Sequence, residues 1–122
     1  KEERVALANE SGADLLVSVH CNYSEDDTGL TGAASSYQDG SRQSEALAEN
    51  IQSALTDESG AADKGTKAGN YTILNDAEMP AVLVEAGYLS NETEAANLAD
   101  DVYQNDVAKG IARGIIASLS RE

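Results

Sequence analysis

Apolar positions recur along the chain in two rhythms, and their alternation predicts helices and strands laid down in turn, as in a layered α/β domain. Val5, Leu7 and Ala8 give the segment from Lys1 to Ser11 an apolar side, and Gly12 can take the left-handed conformation that ends a helix. Leu15-Leu16-Val17-Ser18-Val19 is apolar at nearly every position, the pattern of a strand covered on both faces inside a parallel sheet. His20 stands at its end. Residues 23 to 31 are polar and acidic with Gly29 as a breaker, and Gly32 to Tyr37 reads as a second, weaker strand. Asp39-Gly40-Ser41 supplies turn and capping chemistry for a helix from about 42 to 56, where Leu47, Ile51, Ala54 and Leu55 recur at helical spacing and Glu45 and Glu49 fall on other faces.

Asp57 to Asn70 is rich in Gly, Ala, Asp and Lys and shows no period, which predicts a long loop, a candidate lid or rim. Tyr71 to Leu74 reads as a third strand and Ala81-Val82-Leu83-Val84 as a fourth that again lacks alternation, with Glu85 at its end. Asn91 followed by Glu94 is a reciprocal capping pair opening a helix through about Ala99. Val107, Ala108, Ile111, Ala112, Ile115 and Leu119 mark the buried stripe of a closing helix. The expected fold is α/β, a largely parallel or mixed twisted sheet flanked by helices. No internal repeat, low-complexity tract or interdomain linker divides residues 1–122, which read as one domain. The first residue is Lys and the opening segment is already the body of a helix, so the domain is expected to be partial, cut from something longer at its N-terminus.

Composition narrows the function classes. Eight Lys and Arg against 22 Asp and Glu give a net charge of −14, which disfavours nucleic acid and anionic membranes as partners because both would be repelled. No apolar run approaches the roughly 20 residues that span a bilayer. Cys21 is the only cysteine, so no intramolecular disulfide forms. With no Trp, no Phe and five Tyr, the core must be built from Ala, Val, Leu and Ile.

His20 and Glu85 are the candidates for chemistry. In open α/β sheets ligands bind beyond the carboxyl ends of the strands, so if the two strands are parallel both groups face one cleft. A lone His after an apolar strand is often a hydrogen-bonded structural residue. A Glu after Ala-Val-Leu-Val is harder to dismiss, because a carboxylate at the edge of a core costs desolvation unless a partner, a cation or a catalytic role offsets it. A neutral imidazole is a good zinc ligand, and an unligated Glu beside zinc-bound water can take and return its proton. Together they mark a possible metal hydrolase site, and periodicity goes no further. Cys21, beside His20, is expected on the opposite face as a small buried packing residue. Asn22 either orients the site or contacts substrate, or simply caps the loop. Lys64 and Lys67 either meet substrate carboxylates or are solvated, and Glu25-Asp26-Asp27 reads as loop solvation in preference to a calcium site.

At these residues the sequence resembles the amidase_3 family of N-acetylmuramoyl-L-alanine amidases. Arg4 with Ala8-Asn9, then Ala13-Asp14-Leu15-Leu16-Val17-Ser18-Val19-His20-Cys21-Asn22, is similar to the segment around that family's third zinc ligand. Pro80-Ala81-Val82-Leu83-Val84-Glu85-Ala86-Gly87-Tyr88-Leu89-Ser90-Asn91 is similar to its catalytic-glutamate motif. Gly32 to Tyr37, Asp63-Lys64-Gly65-Thr66-Lys67, Tyr71 to Leu74 and the helix from Val107 to Leu119 follow in the family's order, so the resemblance covers essentially the whole chain. It implies a catalytic zinc held by two His and one Glu, with His20 as one ligand and Glu85 as general base and then acid. The implied reaction is hydrolysis of the amide between N-acetylmuramic acid and L-alanine in peptidoglycan, at the cell wall or outside the cell. The family's first His, in a Gly-His-Gly-Gly stretch, and its Glu ligand have no counterpart here, and His20 is the only histidine. The departure looks like truncation upstream of Lys1, where both missing ligands are expected; a decayed, non-catalytic relative would lack them too but would not be expected to keep Glu85 and its motif. The alternatives are a non-catalytic peptidoglycan-binding or scaffolding module on the same fold, and another zinc hydrolase such as a carboxypeptidase, against which the run from Leu83 to Asn91 argues.

Overall fold

Local capping chemistry sets the ends of most elements in the computed structural model, which describes residues 1–120. Helix α1 (Glu2–Ser11) stops at Gly12, whose φ of 72° is the left-handed conformation that glycine adopts without strain. Strand β1 (Leu16–Asn22) and β2 (Ala33–Gln38) follow. The Ser41 side chain accepts from the Ser44 N–H to open α2 (Arg42–Ser59). Then come β3 (Asp63–Gly69), the short α3 (Thr72–Asn75) and β4 (Ala81–Tyr88). Asn91 caps α4 (Glu92–Leu98) and Asp100 caps α5 (Asp101–Leu119), each accepting from the N–H three residues on.

The four-stranded sheet has the order β1-β4-β2-β3. β1 runs parallel to β4 and β2 parallel to β3, while β2 and β4 are antiparallel, so the sheet is mixed. Side-chain alternation divides it into two faces. Val17, Val82, Val84 and Ala86 turn toward Leu47, Ile51 and Leu55 of α2 and Val107 and Ile111 of α5. Leu16, Ala81 and Leu83 turn the other way, toward Val5 of α1, Ile73 and Leu74 of α3, and Ala77 and Met79. The second layer is short, and the sheet beyond it is left for the site.

Two elements differ from the sequence reading. Residues 57–70 are not a long loop: α2 continues to Ser59 and β3 occupies Asp63–Gly69. Tyr71 to Leu74 is not a strand; Tyr71 precedes a single helical turn. β1 is also not covered on both faces. It is an edge strand of the described sheet, and Val19 is 54 % exposed.

Helix packing departs from the expected stripes as well. In α1 Val5 is buried but Leu7 is exposed. In α5, Val107 and Ile111 are buried, whereas Ala108, Ala112 and Leu119 are exposed. The close contact is made by Gly110 and Gly114, where an added Cβ would overlap the backbone of α2 at Leu55 and Ile51. Asn50 reinforces the contact by donating to the Ser118 hydroxyl at 2.9 Å. Buried polar groups are paired: Gln52 accepts from Ser35 Oγ and donates to the Ala33 carbonyl and to Asp63 Oδ1. Asn9 ties α1 to the turn before β4, donating to the Asp76 carbonyl and accepting from the Glu78 N–H.

Candidate active site

His20 and Glu85 are direct partners across β1 and β4 in the parallel register that runs from Leu16 with Ala81 through Ser18 with Leu83. Residues paired this way project to the same side. Since Leu16, Ala81 and Leu83 face α1 and α3, His20 and Glu85 lie on that face too, as the sequence reading expected of two parallel strands. Neither residue ends its strand, because β1 continues to Asn22 and β4 to Tyr88. The register shifts immediately beyond them, from His20 with Glu85 to Asn22 with Tyr88, so β4 carries one residue more than β1. A bulge of this kind bends the strand and re-aims side chains next to a site. Both residues are half-buried.

Ser18 holds the imidazole. Its Oγ lies 2.8 Å from His20 Nε2, two residues back on the same face, which leaves Nδ1 free of any protein hydrogen bond among the described residues. His20 lines a hollow of about 260 Å³ with Arg4, Ser18, Tyr71 and Leu83. Burial pushes the Tyr71 hydroxyl's pKa up, and the negative charge of Glu85 pushes it further in the same direction. Tyr71 therefore stands near both candidate residues, a position that its reading as a strand residue did not reveal.

Glu85 lines a second hollow of about 270 Å³ with Asn22, Leu30, Gly32, Lys64, Lys67 and Tyr88 among its walls. Its rim is stitched by side chains from the turn after β4 and the first turn of α4. Glu94 accepts from the Tyr88 N–H with one carboxylate oxygen, at 2.8 Å, and from the Gly32 N–H with the other, at 2.7 Å. The reciprocal capping box expected from Asn91 and Glu94 is thus only half formed. Asn91 accepts from the Glu94 N–H, while Glu94 reaches to two other strand ends. Asn91 Nδ2 donates to the Thr28 carbonyl and Ser90 Oγ accepts from the Ser24 N–H, fixing the acidic loop against the same turn.

The remaining sequence candidates separate. Cys21 is exposed, not a buried packing residue, because edge strand β1 has no helix over that part of its other face. Asn22 Oδ1 accepts from the Tyr23 N–H and the residue also lines the Glu85 hollow, so it both caps and borders. Asp27 accepts from the Gly29 N–H within its own loop. A larger hollow of about 830 Å³ lies between α2 and α5, on the opposite face from His20 and Glu85. Its Arg113 is ion-paired with Asp57 and Glu58. Among the described residues no group of three or more His, Cys, Asp or Glu is placed to hold a metal ion. His20 is the one candidate ligand, and the residues present do not make a metal centre by themselves.

Comparison with known proteins gives this geometry its relatives. The family model described as N-acetylmuramoyl-L-alanine amidase matches residues 1–117. The endolysin of Bacillus phage SPP1 is 37 % identical over 125 aligned residues, covering 97 % of this chain and 45 % of that protein. The amidase LytC of Bacillus subtilis is 33 % identical over 119 residues, covering 95 % of this chain and 24 % of LytC. The crystal structure of N-acetylmuramoyl-L-alanine amidase from Clostridium difficile 630 superposes with a TM-score of 0.96 at 32 % identity, covering 99 % of this chain and 66 % of that one. The chain thus spans less than half of these two curated relatives.

Proposed function

From the premise that this chain belongs to the N-acetylmuramoyl-L-alanine amidase family, we propose that it forms part of a zinc-dependent hydrolase cutting the amide between N-acetylmuramic acid and L-alanine in peptidoglycan. The observation that carries this reading is the pairing of His20 with Glu85 on one face of adjacent parallel strands. His20 would be one ligand of a catalytic zinc, with Ser18 fixing its ring through Nε2. Bound zinc supplies Lewis acidity to the scissile carbonyl and lowers the pKa of water. Glu85 would take a proton from the attacking water and return it to the departing nitrogen of L-alanine. The protein works at the cell wall, where its substrate is.

The test uses the full-length protein on purified peptidoglycan, following the appearance of free L-alanine amino groups and zinc content together. Glu85→Gln is expected to lower turnover by roughly 10² to 10⁴ while retaining zinc, since removing a general base leaves the ligands in place. His20→Ala is expected to lose zinc. Zinc released by Glu85→Gln but kept by His20→Ala would reverse the assignment. A second reading, a non-catalytic peptidoglycan-binding module, draws on the single histidine. It predicts binding to the wall polymer with no new amino groups.

A further inference from the structure

In a chain of net charge −14, Lys64 and Lys67 are two of only eight Lys and Arg residues, and both line the hollow that holds Glu85. Lys109 meets Glu58 and Arg113 meets Asp57 and Glu58, but neither Lys64 nor Lys67 is ion-paired among the described residues. An unpaired ammonium that lines a hollow of so acidic a protein offers an external anion a local counter-charge.

Their placement is built into the fold. Lys67 pairs with Ser36, and Ser36 pairs with Leu83, so Lys67 projects to the same face as Glu85. Lys64 lies across Gly32: a Cβ at that glycine, whose φ is +102°, would come within 2.7 Å of Lys64 Cγ and Cε. Gly32 therefore leaves the channel in which the Lys64 stem runs. Glu94 holds Gly32 in place by accepting its N–H at 2.7 Å, and through Tyr88 it holds the strand end that follows Glu85.

We propose that Lys64 and Lys67 form a carboxylate-binding subsite beside Glu85. It receives the free α-carboxylate of the γ-linked D-glutamate that follows L-alanine in the stem peptide. This rests on the function proposed above and names which form of the substrate the site selects. One residue of extended peptide spans roughly 3.5 Å, so the glutamate carboxylate lies about a residue beyond the scissile amide, and both lysines border the same hollow as Glu85. Stem peptides whose glutamate is amidated to isoglutamine lack that charge and are the disfavoured form.

The measurement is calorimetric binding of the free stem tripeptide L-alanyl-γ-D-glutamyl-L-lysine and of its glutamate α-amide to the full-length, metal-loaded protein. Turnover of the two matching muropeptides is followed in parallel. The acid form is expected to bind about tenfold more tightly, the equivalent of one charge-assisted hydrogen bond. Long-range repulsion from an acidic protein works against this order, so the preference must come from local cations. Lys64→Met with Lys67→Met should close the gap by weakening the acid form, and high salt should narrow it. Equal binding of acid and amide by the unaltered protein overturns the subsite whatever the variants do. Turnover of both muropeptides with no preference overturns the subsite and leaves the amidase reading standing. A preference in binding without turnover of either supports the subsite and overturns the amidase reading.

Discussion

A half-buried carboxylate imposes its charge on its neighbours, and at Glu85 the neighbour that registers it is Tyr71. The tyrosine's pKa is raised by burial first and by Glu85 second. Ionising Tyr71 places a second negative charge near the first, so neutralising Glu85 must ease that ionisation. Glu85→Gln is therefore expected to lower the Tyr71 pKa in the metal-free protein without returning it to the ordinary tyrosine value, since burial persists. The sign for stability follows. A tyrosine whose folded pKa is raised favours folding less as pH climbs past the unfolded value of about 10, because only the unfolded chain ionises freely there. Titration by tyrosinate absorbance, with Tyr71→Phe to identify the transition, reads the shift directly; an unmoved transition would place Tyr71 away from Glu85. Glu94 is a second residue whose role depends on its two oxygens. Glu94→Gln leaves one strand-end N–H without an acceptor, a loss of about 1–3 kcal/mol by the usual cost of an unpaired donor. Urea unfolding measures it, and no change in stability would mean that water replaces the carboxylate freely.

At the scale of elements, α5 lies against α2 through glycines. An added methyl at Gly114 meets the backbone of Ile51, which cannot swing aside as a side chain would. Gly114→Ala is expected to cost about 1–3 kcal/mol or more by overpacking, although alanine is the better helix former by roughly 1 kcal/mol. A melting temperature that rose would show that the helices part without penalty. The same contact explains what the sequence concealed. Val107 and Ile111 stood out in the apolar pattern, but Gly110 and Gly114 look like helix weaknesses until the partner helix is seen. β4 and α2 were legible because burial on one or both faces leaves an apolar record. β3 was not. Its Asp63-Lys64-Gly65-Thr66-Lys67-Ala68-Gly69 has no apolar face, and it is held as an edge strand by backbone pairing with β2 and by Gln52 on Asp63. Tyr71 to Leu74 has strand-forming residues and became a helical turn, with Leu74 buried under the sheet. At the site, the partnership of His20 and Glu85 was readable from two apolar runs with titratable ends. Ser18, Tyr71 and Glu94 were not, because their roles come from register and from contacts across 62 residues of chain in the case of Glu94 with Gly32.

At the scale of the whole molecule, the relevant fact is how few metal-binding groups share a face. A catalytic zinc takes three protein ligands and keeps one position for water. This chain offers one imidazole, and among the described residues no trio of His, Cys, Asp and Glu gathers anywhere. Its abundance of carboxylates does not compensate. Scattered acidic groups attract cations diffusely, but without oriented partners they do not fix a tetrahedral geometry. Ser18 holds one ring nitrogen of His20, which orients a single ligand and supplies no second. The 122-residue chain taken alone is therefore expected to hold zinc weakly and below one equivalent, and to release no L-alanine amino groups from cell walls. Equilibrium dialysis with elemental analysis, beside the same measurement on the full-length protein, checks both expectations. The two signals should rise together in a chain that supplies the further zinc ligands proposed above. Zinc and turnover share one cause, completion of the ligand set around His20, so stoichiometric zinc with hydrolysis from the 122 residues alone would show that ligands other than those on the His20 face make the site.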